Sequence, residues 1–310
     1  MSLRPTAKRQ RDSLLHPRYW PSWVGVGLLR MMSLLPVPVL WAGGVLIGEL
    51  LYHLVPSRRG VVAVNIALCF PELGERERRR LVKRHFRAFG QAALDIGIAW
   101  WARPARLRRL VRIRGREPVD ALLAAGKRVI FMAPHFLGLE IGGVRVSLEG
   151  HGCAMFRPLQ NKVLNRVMEK GRTRFGLMLV PHKAPLTTLV RVMREGAPLF
   201  YLPDQDAHRR SRAFVPFFGI PTATFTTLSR FASLTDAVVV PLVCRQLPRG
   251  RGYEVVCRLP LTDFPSDDLL RDVATMNREI EQEVREAPHQ YFWMHRRFKT
   301  RPPGEASLYR

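Results

Sequence analysis

Val129-Ile130-Phe131-Met132-Ala133-Pro134-His135-Phe136-Leu137-Gly138-Leu139-Glu140 decides how this chain is read. An apolar run that stops at Pro and His predicts a strand whose C-terminal end delivers His135 into a loop, and Gly138 onward predicts the start of a helix. In α/β folds, chemistry collects at strand C-termini. Residues five apart on one continuous helix stand about 140° apart around its axis, so His135 and Glu140 meet only if a turn separates them. Residues 134–138 supply such a turn. With no Ser-x-Gly elbow or Cys-His signature nearby, the expected chemistry is general-base catalysis: neutral His135 takes a proton from a hydroxyl, and Glu140 orients the imidazolium. The bland alternative is a helix-capping His135 and a solvated first-turn Glu140. No metal site is expected, because His-x-x-x-x-Glu lacks the i, i+4 histidine pair of a zinc-binding helix face.

Working outward, short apolar runs alternate with helical segments. Strands are expected at 154–158, 198–203, 237–243 and 253–259, and helices at 161–175, 186–195, 224–234 and 267–286. This alternation predicts an α/β fold with a mixed, partly parallel sheet flanked by helices. Arg157 stands at one strand end, Arg172 and Arg174 follow in Gly171-Arg172-Thr173-Arg174, and Pro203-Asp204-Gln205-Asp206 places two carboxylates at another. Arginine at such positions suits phosphate or a developing oxyanion. Each cluster read alone is a salt-bridged loop before it is a site. The apolar run 214–219 is expected as a loop that lines an acyl channel or packs on the sheet.

Upstream, the run 31–48 carries no charge and meets the threshold of about 18 residues for a membrane-spanning helix. Pro36 and Pro38 interrupt it, so a tilted anchor and an interfacial hairpin are both open. Trp20, Trp23, Trp41 and Tyr52 favour a bilayer over a buried core helix. Basic residues flank both sides, at Arg4, Lys8, Arg9, Arg11 and Arg18 before the run and at Arg58 and Arg59 after it. The expected division is a basic arm and membrane anchor over residues 1–60 and a catalytic domain over 61–310. Residues 75–112 predict a basic helical region with an apolar face, suited to anionic headgroups.

At 310 residues the chain is long enough for a substantial core, and its apolar fraction of 47% excludes disorder. Fifty Lys plus Arg against 25 Asp plus Glu give a net charge of +25. Such a field attracts nucleic acid, anionic membranes or acidic partners. Nucleic acid is not an expected partner, as the sequence holds no aromatic RNP pattern, zinc-finger spacing or helix-turn-helix signal. The four cysteines, Cys69, Cys153, Cys244 and Cys257, form no Cys-x-x-Cys pair, and no cleavable signal is evident. Reduced thiols on the cytoplasmic side are the expectation.

The ordered set His-Phe-Leu-Gly-Leu-Glu, Phe-Arg-Pro-Leu-Gln-Asn, Gly-Arg-Thr-Arg, Leu-Pro-Asp-Gln-Asp, Phe-Val-Pro-Phe-Phe-Gly and Tyr-Phe-Trp-Met-His-Arg-Arg-Phe-Lys-Thr-Arg-Pro resembles the lauroyl/myristoyl acyltransferases of lipid A biosynthesis. These lie within the wider glycerolipid acyltransferase superfamily, and the resemblance runs the length of the chain. It implies transfer of a fatty acyl group, lauroyl favoured, from acyl carrier protein to the hydroxyl of a 3-hydroxyacyl chain on a Kdo-bearing, phosphorylated disaccharide. His135 is then the base and Glu140 its partner, with Arg157, Arg172, Arg174 and Asp204 as substrate-binding residues. No cofactor is implied, acyl-acyl carrier protein being a co-substrate. The implied partners are acyl carrier protein, the phosphorylated glycolipid acceptor and anionic inner-membrane lipids, with catalysis on the cytoplasmic face. Two alternatives stand beside this: a superfamily member acting on another lipid acceptor, and a non-catalytic protein that binds anionic lipid.

Overall fold

A computed structural model describes residues 14–207 and 211–309; Arg4, Lys8, Arg9 and Arg11 of the expected basic arm lie outside the described residues. The described chain opens with four helices: α1 (Trp20–Met32), α2 (Val37–Leu54), α3 (Pro56–Cys69) and α4 (Glu75–Trp101). The α/β body follows, with α5 (Pro104–Leu110), β1 (Val111–Arg114), α6 (Glu117–Ala124), β2 (Arg128–Met132), α7 (Leu139–Ser147), β3 (Gly152–Phe156), α8 (Lys162–Thr173) and β4 (Leu177–Pro181). It continues through α9 (Leu186–Arg194), β5 (Leu199–Tyr201), β6 (Arg212–Phe217), β7 (Ile220–Phe225), α10 (Thr227–Thr235), β8 (Ala237–Gln246), β9 (Tyr253–Cys257) and α11 (Leu269–Glu286).

Seven strands form one sheet in the order β1-β9-β8-β2-β5-β3-β4. Every neighbouring pair is parallel except β8 with β9, which makes the sheet mixed and mostly parallel as the alternation predicts. Successive side chains of β2 point to opposite faces. Val129 and Phe131 pack with Ile141 and Val144 of α7, whereas Ile130 and Met132 pack with Phe231 of α10 and Val273 of α11. The central strand is thus buried on both faces, which its unbroken apolar run requires.

Three expectations change. The run 31–48 is not one span: α1 ends at Met32 and α2 begins at Val37, with Pro36 at its N-cap and Pro38 in its first turn. Proline there starts a helix, because the first turn has no use for its missing N–H. The basic region 75–112 breaks at Pro104, and its end already belongs to β1. The run 214–219 is not a loop but the end of β6 and the two-residue turn of a β6–β7 hairpin, and Thr224 lies in β7, not in the helix. Phe218 and Gly219 both have positive φ, the conformation a two-residue hairpin turn requires. Phe217 is buried against Tyr291 and Phe298.

α2 is the one described helix long and apolar enough to cross a membrane. Its inner face lies on α4 at backbone contact. A Cβ on Gly90 would stand 2.1 Å from the Gly44 carbonyl oxygen, and one on Gly48 would stand 2.3 Å from that of Phe86. Glu49 is neutralised across the same seam by Lys83 at 3.1 Å and by Arg87. On the outer faces Val24, Leu28 and Met31 of α1 and Leu46, Leu50 and Leu54 of α2 are exposed, an apolar surface consistent with membrane anchoring. The division expected at 60/61 falls inside α3.

Candidate active site

The parallel pairing of β2 with β5 builds the site. Ile130 stands beside Leu199 and Met132 beside Tyr201, and the Ala133 N–H extends the ladder to the Tyr201 carbonyl at 2.9 Å. Three residues beyond Met132 is His135, and three beyond Tyr201 is Asp204. The register therefore brings them level. Oδ2 of Asp204 accepts the His135 backbone N–H at 2.8 Å, and Oδ1 accepts Nδ1–H of the ring at 2.6 Å. With that proton on Nδ1, Nε2 presents a lone pair, met by the Gln205 amide at 3.1 Å. The imidazole is 24% exposed while the Asp204 side chain is 1% exposed, so the ring reaches the surface and its carboxylate lies beneath.

The loop holding His135 is strapped from the far end of the chain. Phe292 N–H donates to the His135 carbonyl at 2.8 Å, Leu137 N–H donates to that of Gln290 at 2.9 Å, and Phe136 bridges to Tyr291. The Tyr291 hydroxyl donates to the Asp204 carbonyl at 3.3 Å. Burial alone would raise the Asp204 carboxyl, yet the charge and hydrogen bonds of His135 hold it below the ordinary aspartate value. An ionised carboxylate under Nδ1 fixes the tautomer and stabilises the imidazolium.

Glu140 does not meet His135: among the described residues it makes no hydrogen bond with it. It lies in the first turn of α7 and faces α8 and α4. Its carboxylate receives Arg172 in a fork, Nε at 3.0 and 3.1 Å and a terminal nitrogen at 2.6 Å, and Nε1–H of Trp100 at 2.7 Å. The expected partner of the histidine is thus replaced by Asp204, since the turn at 134–138 leads the chain away along α7 while β5 ends alongside. Arg174 ties α8 to the end of α4, donating to the carbonyls of Trp100 at 2.7 Å and Ala102. Arg157 is exposed just past β3 and makes no hydrogen bond among the described residues.

Sequence reasoning did not assign Trp100, Gln205 or Tyr291. Gln205 lies inside the quoted strand-end cluster, but only the pairing of β2 with β5 shows which ring it meets. Cys153 is buried in β3, and burial pushes its thiol up to about 12, far from a nucleophile's range.

The fold and site define an α/β enzyme with a carboxylate-backed histidine at the C-terminal edge of its sheet. Residues 7–300 match the family described as bacterial lipid A biosynthesis acyltransferase. Over 298 residues the chain is 35% identical to the lipid A biosynthesis lauroyltransferase of Escherichia coli K12, covering 96% of this chain and 97% of that one. It is 32% identical over 306 residues to the palmitoleoyltransferase of the same organism, covering 98% and 99%. With its myristoyltransferase the identity is 30% over 303 residues, covering 96% and 93%. The chain belongs to the bacterial lipid A biosynthesis acyltransferase family.

Proposed function

We propose that this acyltransferase moves a fatty acyl group, lauroyl first among donors, from the thioester of acyl carrier protein to the hydroxyl of a 3-hydroxyacyl chain on a Kdo-bearing lipid A precursor. The observation that carries it is the His135–Asp204 pair, which leaves Nε2 as the acceptor nitrogen where the Gln205 amide is now seated. His135 takes the acceptor hydroxyl proton as the oxygen attacks the thioester carbonyl. The tetrahedral intermediate collapses, the C–S bond breaks, and the imidazolium returns its proton to the departing thiolate. Asp204 orients the ring. Glu140 fixes Arg172 at the head of α7, where the guanidinium meets the oxyanion or an acceptor phosphate. Arg157 and Arg174 add positive charge for that phosphate.

The net charge of +25 favours both an acidic carrier protein and a phosphorylated lipid. Residues 1–60 serve as basic arm and inner-membrane anchor, and 61–310 as the catalytic domain on the cytoplasmic face. Four buried thiols without a disulfide among the described residues support that side. Lauroyl stands first because the identity with a lauroyltransferase is 35%, against 32% and 30% with relatives named for palmitoleoyl and myristoyl transfer.

The test is an assay of detergent-purified protein with acyl-acyl carrier protein and Kdo-linked tetra-acylated lipid A precursor, products read by mass spectrometry. Wild type adds one acyl group. His135→Ala abolishes the gain, Glu140→Ala loses it by freeing Arg172, and Asp204→Asn lowers kcat by roughly 10⁴-fold by turning the ring to the wrong tautomer. A folded His135→Ala protein working at the wild-type rate overturns the mechanism. Wild type that spares this acceptor but acylates another lipid overturns the acceptor.

A further inference from the structure

Behind the Glu140–Arg172 pair an apolar crevice runs between α7 and the sheet. Its first chamber, about 110 Å³, is lined by Leu139, Gly143, Ala154, Leu179, Phe200 and Leu202. Small residues carve it. Ala154 stands in register between Leu179 and Phe200 on the neighbouring strands, so the sheet has a furrow there. Gly143 faces it from α7, where an added Cβ would meet nothing within 4 Å.

On the other side of Phe200, toward the strand N-termini, lies a second cavity of about 80 Å³, with Val119, Phe131, Val146 and Pro198 as its apolar wall and Arg116, Asp120, Glu149 and His151 also lining it. Phe200 lines both chambers and is the partition between them, its ring centroid 5.0 Å from that of Phe131. Leu139, Gly143 and Val146 follow i, i+4, i+7 spacing, so one stripe of α7 roofs the whole crevice.

We propose that this crevice holds the donor's acyl chain, with Gly143 setting its width and Phe200 its depth; the assignment rests on the acyl transfer proposed above. The near end of the crevice is built from the elements that carry the pair: Leu139 follows His135 by four residues, and Leu202 precedes Asp204 by two. A thioester carbonyl at His135 leads its chain past Glu140 and Arg172 into an aliphatic slot. A slot closed by one aromatic ring suits a single chain of limited length. The acceptor brings several chains, which a bilayer solvates. Chains that stop at the Phe200 ring leave the second chamber empty, and longer ones must displace it.

The test sets wild type, Gly143→Leu and Phe200→Leu competing for decanoyl-, lauroyl-, myristoyl- and palmitoyl-acyl carrier protein, with lipid A precursors of two acyl-chain lengths in turn. Discrimination by one methylene in an apolar pocket is worth about tenfold or more. Gly143→Leu, which builds into open space, is expected to shift the donor preference at least tenfold toward shorter chains, and Phe200→Leu toward longer ones. Wild type active with both variants keeping its donor ranking, or losing all donors equally, overturns the crevice alone. A ranking that moves with the acceptor's chain length instead gives the crevice to the acceptor and also overturns it. Wild type inert toward every donor overturns the transfer reading and this assignment with it.

Discussion

Two buried aspartates of this enzyme are driven in opposite directions by their partners. Asp204 faces an imidazole and stays ionised. Asp95, on α4, faces only neutral groups, accepting from the Tyr253 hydroxyl and from Gln246 Nε2 at 3.2 Å, and burial raises its carboxyl to about 7. Its folded value is above its unfolded one, so the stability is fully present below about pH 4 and is lost as pH rises to about 7, where the unfolded chain releases a proton the folded chain keeps. Asp95→Asn retains an acceptor for Tyr253 and carries no proton to lose. Urea midpoints measured in detergent from pH 4 to pH 8 should therefore fall for wild type relative to the variant as pH rises, while His85 and His289, which burial holds down to about 4, act on both alike. An equal decline in both would place the titrating group elsewhere.

Among the elements, α2 and α4 meet backbone to backbone along their seam. Ala at a helix interior is favoured over Gly by up to about 1 kcal/mol, but at Gly90 the new methyl meets the Gly44 carbonyl, which is backbone and cannot swing aside. Overpacking of this kind costs about 1–3 kcal/mol. Gly90→Ala should lower the melting temperature, while Gly60→Ala on α3, with nothing within 4 Å, should raise it slightly. Matching shifts in the two would mean that α2 does not lie on α4.

The same elements show what could be read in advance. β2, β8 and α11 announce themselves through long apolar or 3.6-periodic patterns. β1 has the alternation of a strand but only over four residues beside a basic helix, too short to stand out, and β6–β7 is punctuated by Pro216 and Pro221, which a strand rarely holds. His135 was legible because an apolar run stops at it. Its pairing with Asp204 was not, because that depends on the register of two strands 69 residues apart in sequence.

At the scale of the molecule, charge and apolar surface are expected to act on a bilayer together. Attraction to anionic headgroups is screened by salt, whereas the exposed leucines of α2 are indifferent to it. Flotation with anionic vesicles should weaken between about 0.1 and about 0.5 M salt without vanishing, and Leu46→Asp with Leu50→Asp should remove the salt-resistant remainder. Undiminished binding of that double variant in high salt would mean that another surface holds the lipid.

The strap of residues 290–292 across the His135 loop bears on how the enzyme comes into being at the ribosome. α1 and α2 emerge early, His135 emerges midway, and the segment that pins its loop comes among the last. On the proposed anchoring, α1 and α2 can therefore reach a bilayer before the loop of His135 is pinned. A half-made chain carries that histidine without the strap that fixes its aim.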